Sequence, residues 1–306
     1  MVKILRSPEF IVLIVAIVLS VIVENVFRVT PTSPHPSFTA EKLVTWGFFS
    51  ITNSMIMALI VAALLVLLFA RATGAMSTNT PGRLQSFAET VIESLLGLVE
   101  STAGKRTGRV IFPLIATLFI FIISANWLSL LPISWFGVLR SEAGGPEVLV
   151  PFLRAPNADL NMTLAMALIA FIVIQSAGVI AHGPGGYAKE LTTPIFLAPV
   201  HIIGEISRII SLSFRLFGNI FGGEVLLGVM YFLLSSIFVG AATLIFVGME
   251  LLFGTIQALV FSLLTLVYIS MAVAGHGDSH GHDDEHNPAG EGIPEHPQSG
   301  TEVAMG

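Results

Sequence analysis

The sequence has 306 residues, of which 54% are hydrophobic and 11% are charged, whereas charged residues make up roughly 25% of soluble globular domains. It has no cysteine, which excludes disulfides, thiol catalysis and cysteine-based metal sites. The net charge of −6 comes from residues 276–306, which hold seven acids and no Lys or Arg. The rest is nearly balanced and lacks a basic patch for nucleic acid, so the composition indicates a membrane protein.

The first apolar segment covers roughly residues 10–27 and follows Lys3 and Arg6. A bilayer core of about 30 Å needs about 20 helical residues, so this segment is long enough to span. It lacks a clear Ala-x-Ala cleavage site, which favours an uncleaved signal-anchor helix over a cleaved signal peptide. Residues 1–41 are therefore predicted to form this helix and an outer loop.

Three further segments, roughly 46–70, 110–133 and 160–181, meet the same length criterion. A continuous apolar region then extends from about 194 to 274, and its best candidate turn lies near Tyr231–Gly240. Splitting it there gives two helices of about 35 residues, each ~50 Å long, which must tilt steeply or lie partly along the membrane. The predicted fold class is all-α: a polytopic membrane protein of about six membrane helices that ends in a long tilted helical hairpin.

The segment 82–103 breaks this pattern, because its apolar residues recur at steps of three and four. They are Leu84, Phe87, Val91, Leu95 and Leu98, and the other face holds Gln85, Glu89, Glu93 and Glu100. This spacing predicts an amphipathic helix on the inner membrane surface rather than a span. A helix packed on a soluble partner has the same pattern, and both interpretations can hold.

The distribution of Lys and Arg predicts the orientation. With the N-terminus inside, eight of these residues fall on the inner side and four on the outer side, which favours that orientation. An even number of crossings then places the acidic tail inside as well.

Arg215 lies in an apolar run of the first long helix, where a fixed cation costs about 2.5–3.5 kcal/mol on insertion scales. Arg208, Ser211 and Asn219 lie at helical steps from it and share its face. Glu224 follows nine residues later, which at about 100° per residue is half a turn away. A direct Arg215–Glu224 ion pair is therefore not expected.

The second long helix carries Glu250 and Gln257 on one face, with Gly254 between them. Gly254 is expected to let a neighbouring backbone approach closely. Intramembrane polar groups mark ion or substrate pathways by default. The alternative is that a neighbouring helix satisfies each of them.

The run Ser-Leu-Ser-Phe-Arg215-Leu-Phe-Gly-Asn219, followed by Gly-Gly-Glu224 and Thr-Ile-Gln257-Ala-Leu-Val-Phe, closely resembles the subunit a family of the F-type ATP synthase membrane sector. The runs that begin at Pro81, Asn126 and Asp159 resemble its surface helix and middle spans. The resemblance covers roughly residues 42–274, and residues 42–275 are predicted to form the membrane domain.

The chain departs from the best-known bacterial pattern at three places. The span 10–27 is extra, Ser129 stands where Asp is frequent, and Glu250 stands where some relatives have His. The last difference makes Glu224 and Glu250 two carboxylates that can share one water-filled passage.

The resemblance implies a proton-conducting stator subunit in the bacterial plasma (inner) membrane. Its implied partners are a ring of c subunits, b-type peripheral stalk subunits and the rest of the ATP synthase complex. Arg215 would be the fixed cation that faces each ring carboxylate between two half-channels. The candidates for the proton pathway are Glu224, Glu250, Gln257, Asn219 and Ser211, and the weaker candidates for its lining are Asn126, Ser129 and Asp159. His201 and Glu205 are candidates for the exit. An equal alternative for these two is a pair that satisfies its own hydrogen bonds at a helix end.

The resemblance implies no cofactor, and the chain has no Gly-x-x-x-x-Gly-Lys-Ser/Thr phosphate loop with which to make or hydrolyse ATP itself. Proton against sodium coupling stays open, with protons favoured by family frequency. In the tail, His276, His280, His282 and His286 are weak candidates for a transition-metal site. A solvated acidic tail without metal is the favoured interpretation.

Two other functions compete with this one. A secondary transporter would use Arg215 to bind an anion, but such proteins carry internal repeats, and none is found in the sequence. A structural membrane scaffold leaves the charges of the hairpin unexplained.

Overall fold

The computed structural model describes residues 39–47, 49–74, 82–131, 137–140, 148–233 and 236–274. The predicted signal-anchor helix at 10–27 and the tail at 276–306 lie outside these residues.

Six α-helices make up most of the described chain. They are α1 (Asn53–Gly74), α2 (Arg83–Ala103), α3 (Lys105–Ser129), α4 (Leu160–Thr192), α5 (Ala198–Leu233) and α6 (Ser236–Ala274). Five of them, all except α2, are long and apolar enough to cross a membrane. The prediction of an all-α polytopic membrane protein is confirmed.

The terminal hairpin divides where the sequence predicts. Helix α5 ends at Leu233 and α6 begins at Ser236, inside the predicted turn at Tyr231–Gly240. The two helices contain 36 and 39 residues, which correspond to lengths of about 54 and 58 Å. Both exceed the ~30 Å hydrocarbon core, so neither can stand upright within it.

Helix α2 is not a candidate span, as predicted, but its buried face differs from the predicted one. Leu95, Val99 and Gln85 are buried, whereas Phe87 is 65% exposed. Gln85 was predicted on the polar face, and instead it is buried and donates a hydrogen bond to Glu89 Oε1 at 2.8 Å. The prediction was wrong here because an amide that finds a partner on the next turn can be buried.

Two short β-hairpins lie in the connections and were not predicted. β1 (Lys42–Trp46) pairs antiparallel with β2 (Phe49–Thr52), and β3 (Gly137–Arg140) pairs antiparallel with β4 (Val148–Pro151). Gly47 turns the first hairpin with a φ of 64°, a conformation that favours glycine. The span predicted to start at residue 46 therefore starts at Asn53.

Helix α4 contains a break at Gly183, whose φ is 73°. Pro184 follows, and a proline disfavours helical geometry in the residue before it. The helical stretch that ends at Thr192 therefore consists of two helices joined across a kink.

Two clusters of buried side chains hold the helices together. In the first, Ile122 of α3, Ala167 of α4, Leu216 of α5 and Phe261 of α6 are buried together. In the second, Val99 of α2 packs with side chains of α3, α4 and α6. Many large apolar side chains on the outer surface are exposed instead, as expected for helices that face lipid.

Candidate functional site

Arg215 lies on an exposed face of α5. Its neighbours Leu216 and Phe217 are buried in the helix bundle, so the guanidinium lies on the side that faces away from the core. Its one hydrogen bond to the described residues is long: Nη2 donates to Ser211 Oγ at 3.4 Å. Within the described chain no carboxylate lies within 4.0 Å of Arg215, and Glu224 pairs elsewhere, as the helical geometry predicts.

Arg208 was predicted to share the stripe with Arg215, but it has a partner. Its Nη1 lies 2.9 Å from Glu205 Oε1, and its guanidinium lies 4.4 Å from the centroid of the Tyr268 ring. The ion pair and the cation–π contact compensate its charge. Arg208 is therefore bound to α5 and α6 rather than available to an outside group.

The same carboxylate joins α4 to α5. Gln175 Nε2 donates to Glu205 Oε2 at 2.9 Å, and the Tyr187 hydroxyl donates to Gln175 Oε1. His201 lies one turn before Glu205, is half-buried and also has an interaction partner. The two predicted exit residues thus lie at one end of α5, where Glu205 belongs to a polar network that crosses three helices.

Glu224 pairs with an arginine that the sequence analysis did not select. Arg154 Nε lies 3.2 Å from Glu224 Oε2, its Nη1 donates to the carbonyl oxygen of Thr39 at 3.0 Å, and its guanidinium lies 5.8 Å from the Phe221 ring centroid. A burial pattern could not have revealed Arg154, because it lies in a connection between β4 and a short 3₁₀-helix at Pro156–Ala158.

Among the residues that the structure describes, Glu250 has no Lys, Arg or His within ion-pair distance. A Cβ placed on Gly223 would lie 2.7 Å from Glu250 Oε1, so the carboxylate packs directly against the α5 backbone. Glu250 therefore lies against the residue of α5 that directly precedes Glu224. Glu250 Oε2 is buried and has no hydrogen-bond partner among the residues that the structure describes.

Gln257 and Asn219 complete the polar groups between α5 and α6. Gln257 is buried, and within the described ranges its Nε2 has no hydrogen-bond partner. Asn219 Nδ2 donates to the carbonyl oxygen of Phe253 at 3.3 Å, so it links the two arms of the hairpin. A buried amide donor without a hydrogen-bond partner destabilises the fold. The unpaired Nε2 of Gln257 therefore calls for a functional explanation.

Asn126 joins α3 to α6. Its Nδ2 donates to the carbonyl oxygen of Gly254 at 3.0 Å, and its Oδ1 accepts from Asn157 Nδ2 at 2.7 Å. A Cβ on Gly254 would lie 3.2 Å from Asn126 Cβ. Gly254 was predicted to admit a neighbouring backbone, and instead it admits this side chain. Ser129 Oγ donates to the Asn126 carbonyl oxygen at 2.7 Å, a contact within one helix end.

Asp159 caps the N-terminus of α4. Its Oδ1 accepts from the Asn161 backbone N–H at 3.0 Å, and its Oδ2 accepts from Ser54 Oγ at 2.6 Å. The side chain is buried, and both oxygens are engaged. These contacts cap α4 and anchor it to α1. A structural role therefore accounts for Asp159 better than a place in the lining of a proton pathway.

No group of three or more His, Cys, Asp or Glu residues that could hold a metal ion occurs within the described chain. The four tail histidines, His276, His280, His282 and His286, lie outside the described residues, so the weak metal-site hypothesis stays a prediction.

The chain is similar to known proteins over most of its length. A family model described as ATP synthase A chain matches residues 54–270. The ATP synthase subunit a of Desulforamulus reducens is 37% identical over 234 residues, covering 74% of this chain and 82% of the relative. That of Mycobacterium ulcerans is 35% identical over 240 residues, covering 77% and 93%, and that of Pseudomonas syringae is 32% identical over 271 residues, covering 80% and 90%. With its long terminal hairpin and its intramembrane arginine, the chain belongs to the ATP synthase A chain family.

Proposed function

We propose that the chain conducts protons through two offset half-channels, and that Arg215 is the fixed cation between them that faces the carboxylates of a rotating c-subunit ring. As a member of its family, the chain is a multi-pass bacterial membrane protein and a membrane-sector subunit of the proton-translocating ATP synthase. The half-channels, the role of Arg215 and the ring as its partner are the proposal.

The observation that supports the role of Arg215 most directly is the contrast among three arginines. Arg154 and Arg208 each have a carboxylate within 3.2 Å, whereas Arg215 is exposed and, among the described residues, forms a hydrogen bond only with Ser211. A guanidinium cannot shed its charge by deprotonation, and an uncompensated cation at membrane depth is costly. A carboxylate supplied by another subunit would compensate it.

Two groups of polar residues lie on either side of Arg215 along α5. Glu205 with His201 lies ten residues before it, or about 15 Å, and Glu224 lies nine residues beyond it, or about 13.5 Å, at 1.5 Å per residue. We assign the Glu224 side, with Glu250 and Gln257, to the outer half-channel and the Glu205 side to the inner one. This assignment uses the Lys and Arg distribution, which favours an orientation with both termini in the cytoplasm.

Arg215 between the two groups would also prevent protons from crossing directly. A proton approaching the guanidinium meets a fixed positive charge and no acceptor, because arginine has no lone pair to offer. The proton must therefore transfer to a group that moves past Arg215. Lysine would serve less well in this role, because burial can deprotonate it.

Replacing Arg215 by alanine tests this function. The variant should lose ATP synthesis and ATP-driven proton pumping in inverted membrane vesicles, while the complex still assembles. Arg71→Ala, which removes an exposed arginine in the last turn of α1, is the matched control and should pump normally. Coupled ATP synthesis at the normal rate in Arg215→Ala would refute the proposal.

A further inference from the structure

The two arginines of α5 lie seven residues apart but have different surroundings. Seven steps of about 100° end about 20° short of two full turns, so Arg208 and Arg215 leave the helix on the same face. At 1.5 Å per residue they are about 10.5 Å apart along the helix axis. Arg215 is exposed, as is Ser211 on the same face, whereas only 28% of the Arg208 side chain is exposed.

Two groups hold the Arg208 guanidinium against the helix bundle. Glu205 lies one turn earlier on α5, and its Oε1 is 2.9 Å from Arg208 Nη1. The Tyr268 ring of α6 has its centroid 4.4 Å from the guanidinium carbon. The carboxylate compensates the positive charge, and the aromatic face attracts it from a second helix. The Arg208 side chain is therefore turned towards α6 rather than straight out from the face that it shares with Arg215.

The Glu205 carboxylate is itself held from a third helix. Its second oxygen, Oε2, accepts a hydrogen bond from Gln175 Nε2 of α4 at 2.9 Å. The Tyr187 hydroxyl donates to Gln175 Oε1, which leaves the amide nitrogen of Gln175 to face Glu205. Both oxygens of the Glu205 carboxylate are thus engaged, and Arg208 pairs with a carboxylate whose position α4 fixes.

The function proposed for Arg215 gives a reason for this arrangement. A second exposed cation about 10.5 Å away on the same face would attract the ring carboxylate that Arg215 is to bind. It would also repel protons that pass through the inner half-channel, because charges interact strongly where water is sparse. Compensating the charge of Arg208 removes both effects while Arg215 keeps its own charge.

We propose that Glu205 and Tyr268 are positioning residues that form a charge clamp on Arg208, and that this charge clamp leaves Arg215 as the arginine of α5 that a ring carboxylate meets. The inference rests on the proposed function of Arg215. It gives Glu205 the role of a fixed counter-ion at the inner end of α5. It also gives a role to Tyr268, a residue of α6 that the spacing of polar groups does not select.

The test uses the complete ATP synthase in inverted membrane vesicles and measures the initial rate of ATP-driven acidification per assembled complex. Glu205→Gln keeps the size of the side chain and removes the compensating charge. Its rate should fall roughly three- to tenfold, because a unit charge about 10 Å away acts strongly at an effective dielectric constant of about 20. Adding Arg208→Gln to that variant should restore most of the rate, because the freed cation is then absent.

The aromatic ring is tested separately from the ion pair. Tyr268→Leu removes the ring and should lower the rate less than Glu205→Gln does, because the ion pair remains, and adding Arg208→Gln should restore it. Tyr268→Phe keeps the ring and should be faster than Tyr268→Leu. These variants decide the question even if Glu205→Gln does not assemble. Arg109→Gln is the matched control, because it breaks the exposed Arg109–Glu100 ion pair at 2.7 Å and should leave the rate unchanged.

The inference is overturned if the double variant of Glu205 and Arg208 is no faster than Glu205→Gln, because Glu205 would then be required for itself rather than as the counter-ion of Arg208. It is also overturned if Tyr268→Leu acidifies at the normal rate, or if Tyr268→Phe is as slow as Tyr268→Leu. Each of these results would leave the role of Arg215 intact. Failure of the proposed function has a different signature, which is coupled pumping that persists in Arg215→Ala.

Discussion

Gly223→Ala provides a sharp test of where the Glu250 carboxylate lies. The added Cβ would lie 2.7 Å from Glu250 Oε1, 2.9 Å from its Cδ and 3.3 Å from its Cγ, whereas ordinary contact begins at 3.4 Å. The carboxylate must therefore move by about 0.7 Å or more. Because the obstacle is the end of a flexible side chain, the helices themselves need not separate.

The expected effect is on proton movement rather than on folding. Alanine in a helix is favoured over glycine by about 1 kcal/mol, so the substitution should not weaken α5. Misplacing a reacting group by about 1 Å can cost up to ~10²-fold in rate, and we expect roughly a tenfold fall in proton flux for the smaller displacement here. Assembly of the complex should be unchanged.

The assay is ATP-driven acidification of inverted vesicles, normalised to the amount of assembled complex. Gly248→Ala is the matched control, because a Cβ at Gly248 has nothing within 4 Å and the residue lies on the same helix as Glu250. If Gly223→Ala pumps at the normal rate while Glu250→Gln is impaired, then the Glu250 carboxylate does not work from its position against Gly223.

The remaining predictions concern the contacts that hold the helices around the site. Asp159→Ala removes the cap of α4 and should lower the free energy of unfolding by about 1–2 kcal/mol, seen as earlier loss of the subunit when the detergent-solubilised complex is heated. Asp159→Asn keeps a hydrogen-bond acceptor and should lose less stability than Asp159→Ala. Equal heat stability of the unchanged protein and both variants would contradict the role of Asp159 as a helix cap. Gly254→Ala places a Cβ 3.2 Å from Asn126 Cβ and should cost about 1–3 kcal/mol through overpacking, measured by the same heating experiment. A normal heat stability for Gly254→Ala would mean that Asn126 has room to move.

The helical hairpin was predictable because its signals are local. The long apolar region has only weak breaks, and the two serines near residue 235 are among the few residues that interrupt it. The hairpin of β1 and β2 was not predictable in the same way. Its residues are continuous with an apolar span, and a short apolar run has no period that separates strand from helix.

The site was predictable only in part, because the role of each polar residue depends on partners that are distant in sequence. No local pattern around Arg154 indicates its contact with Glu224, which lies 70 residues away in the sequence. Asp159 is the opposite case: an Asp directly before a helical run is a cap signal, and this local reading would have identified its structural role. Spacing on α5 did predict that Glu224 and Arg215 do not pair, because both residues lie on one helix.

The long sequence separation of the polar contacts has a consequence for how the protein is made. Ser54 meets Asp159 across 105 residues, Arg154 meets Glu224 across 70, and Asn126 meets the Gly254 carbonyl across 128. A chain still emerging from the ribosome therefore inserts α3 and the Arg154 segment before Gly254 and Glu224 have been made. Arg154 gains its contact with Glu224 when α5 is in place, and the Asn126 amide gains its contact with Gly254 only when α6 is in place. A chain released before α6 would lack the contact between Asn126 and Gly254, so completion of the last helix is the step that completes the polar contacts between distant helices.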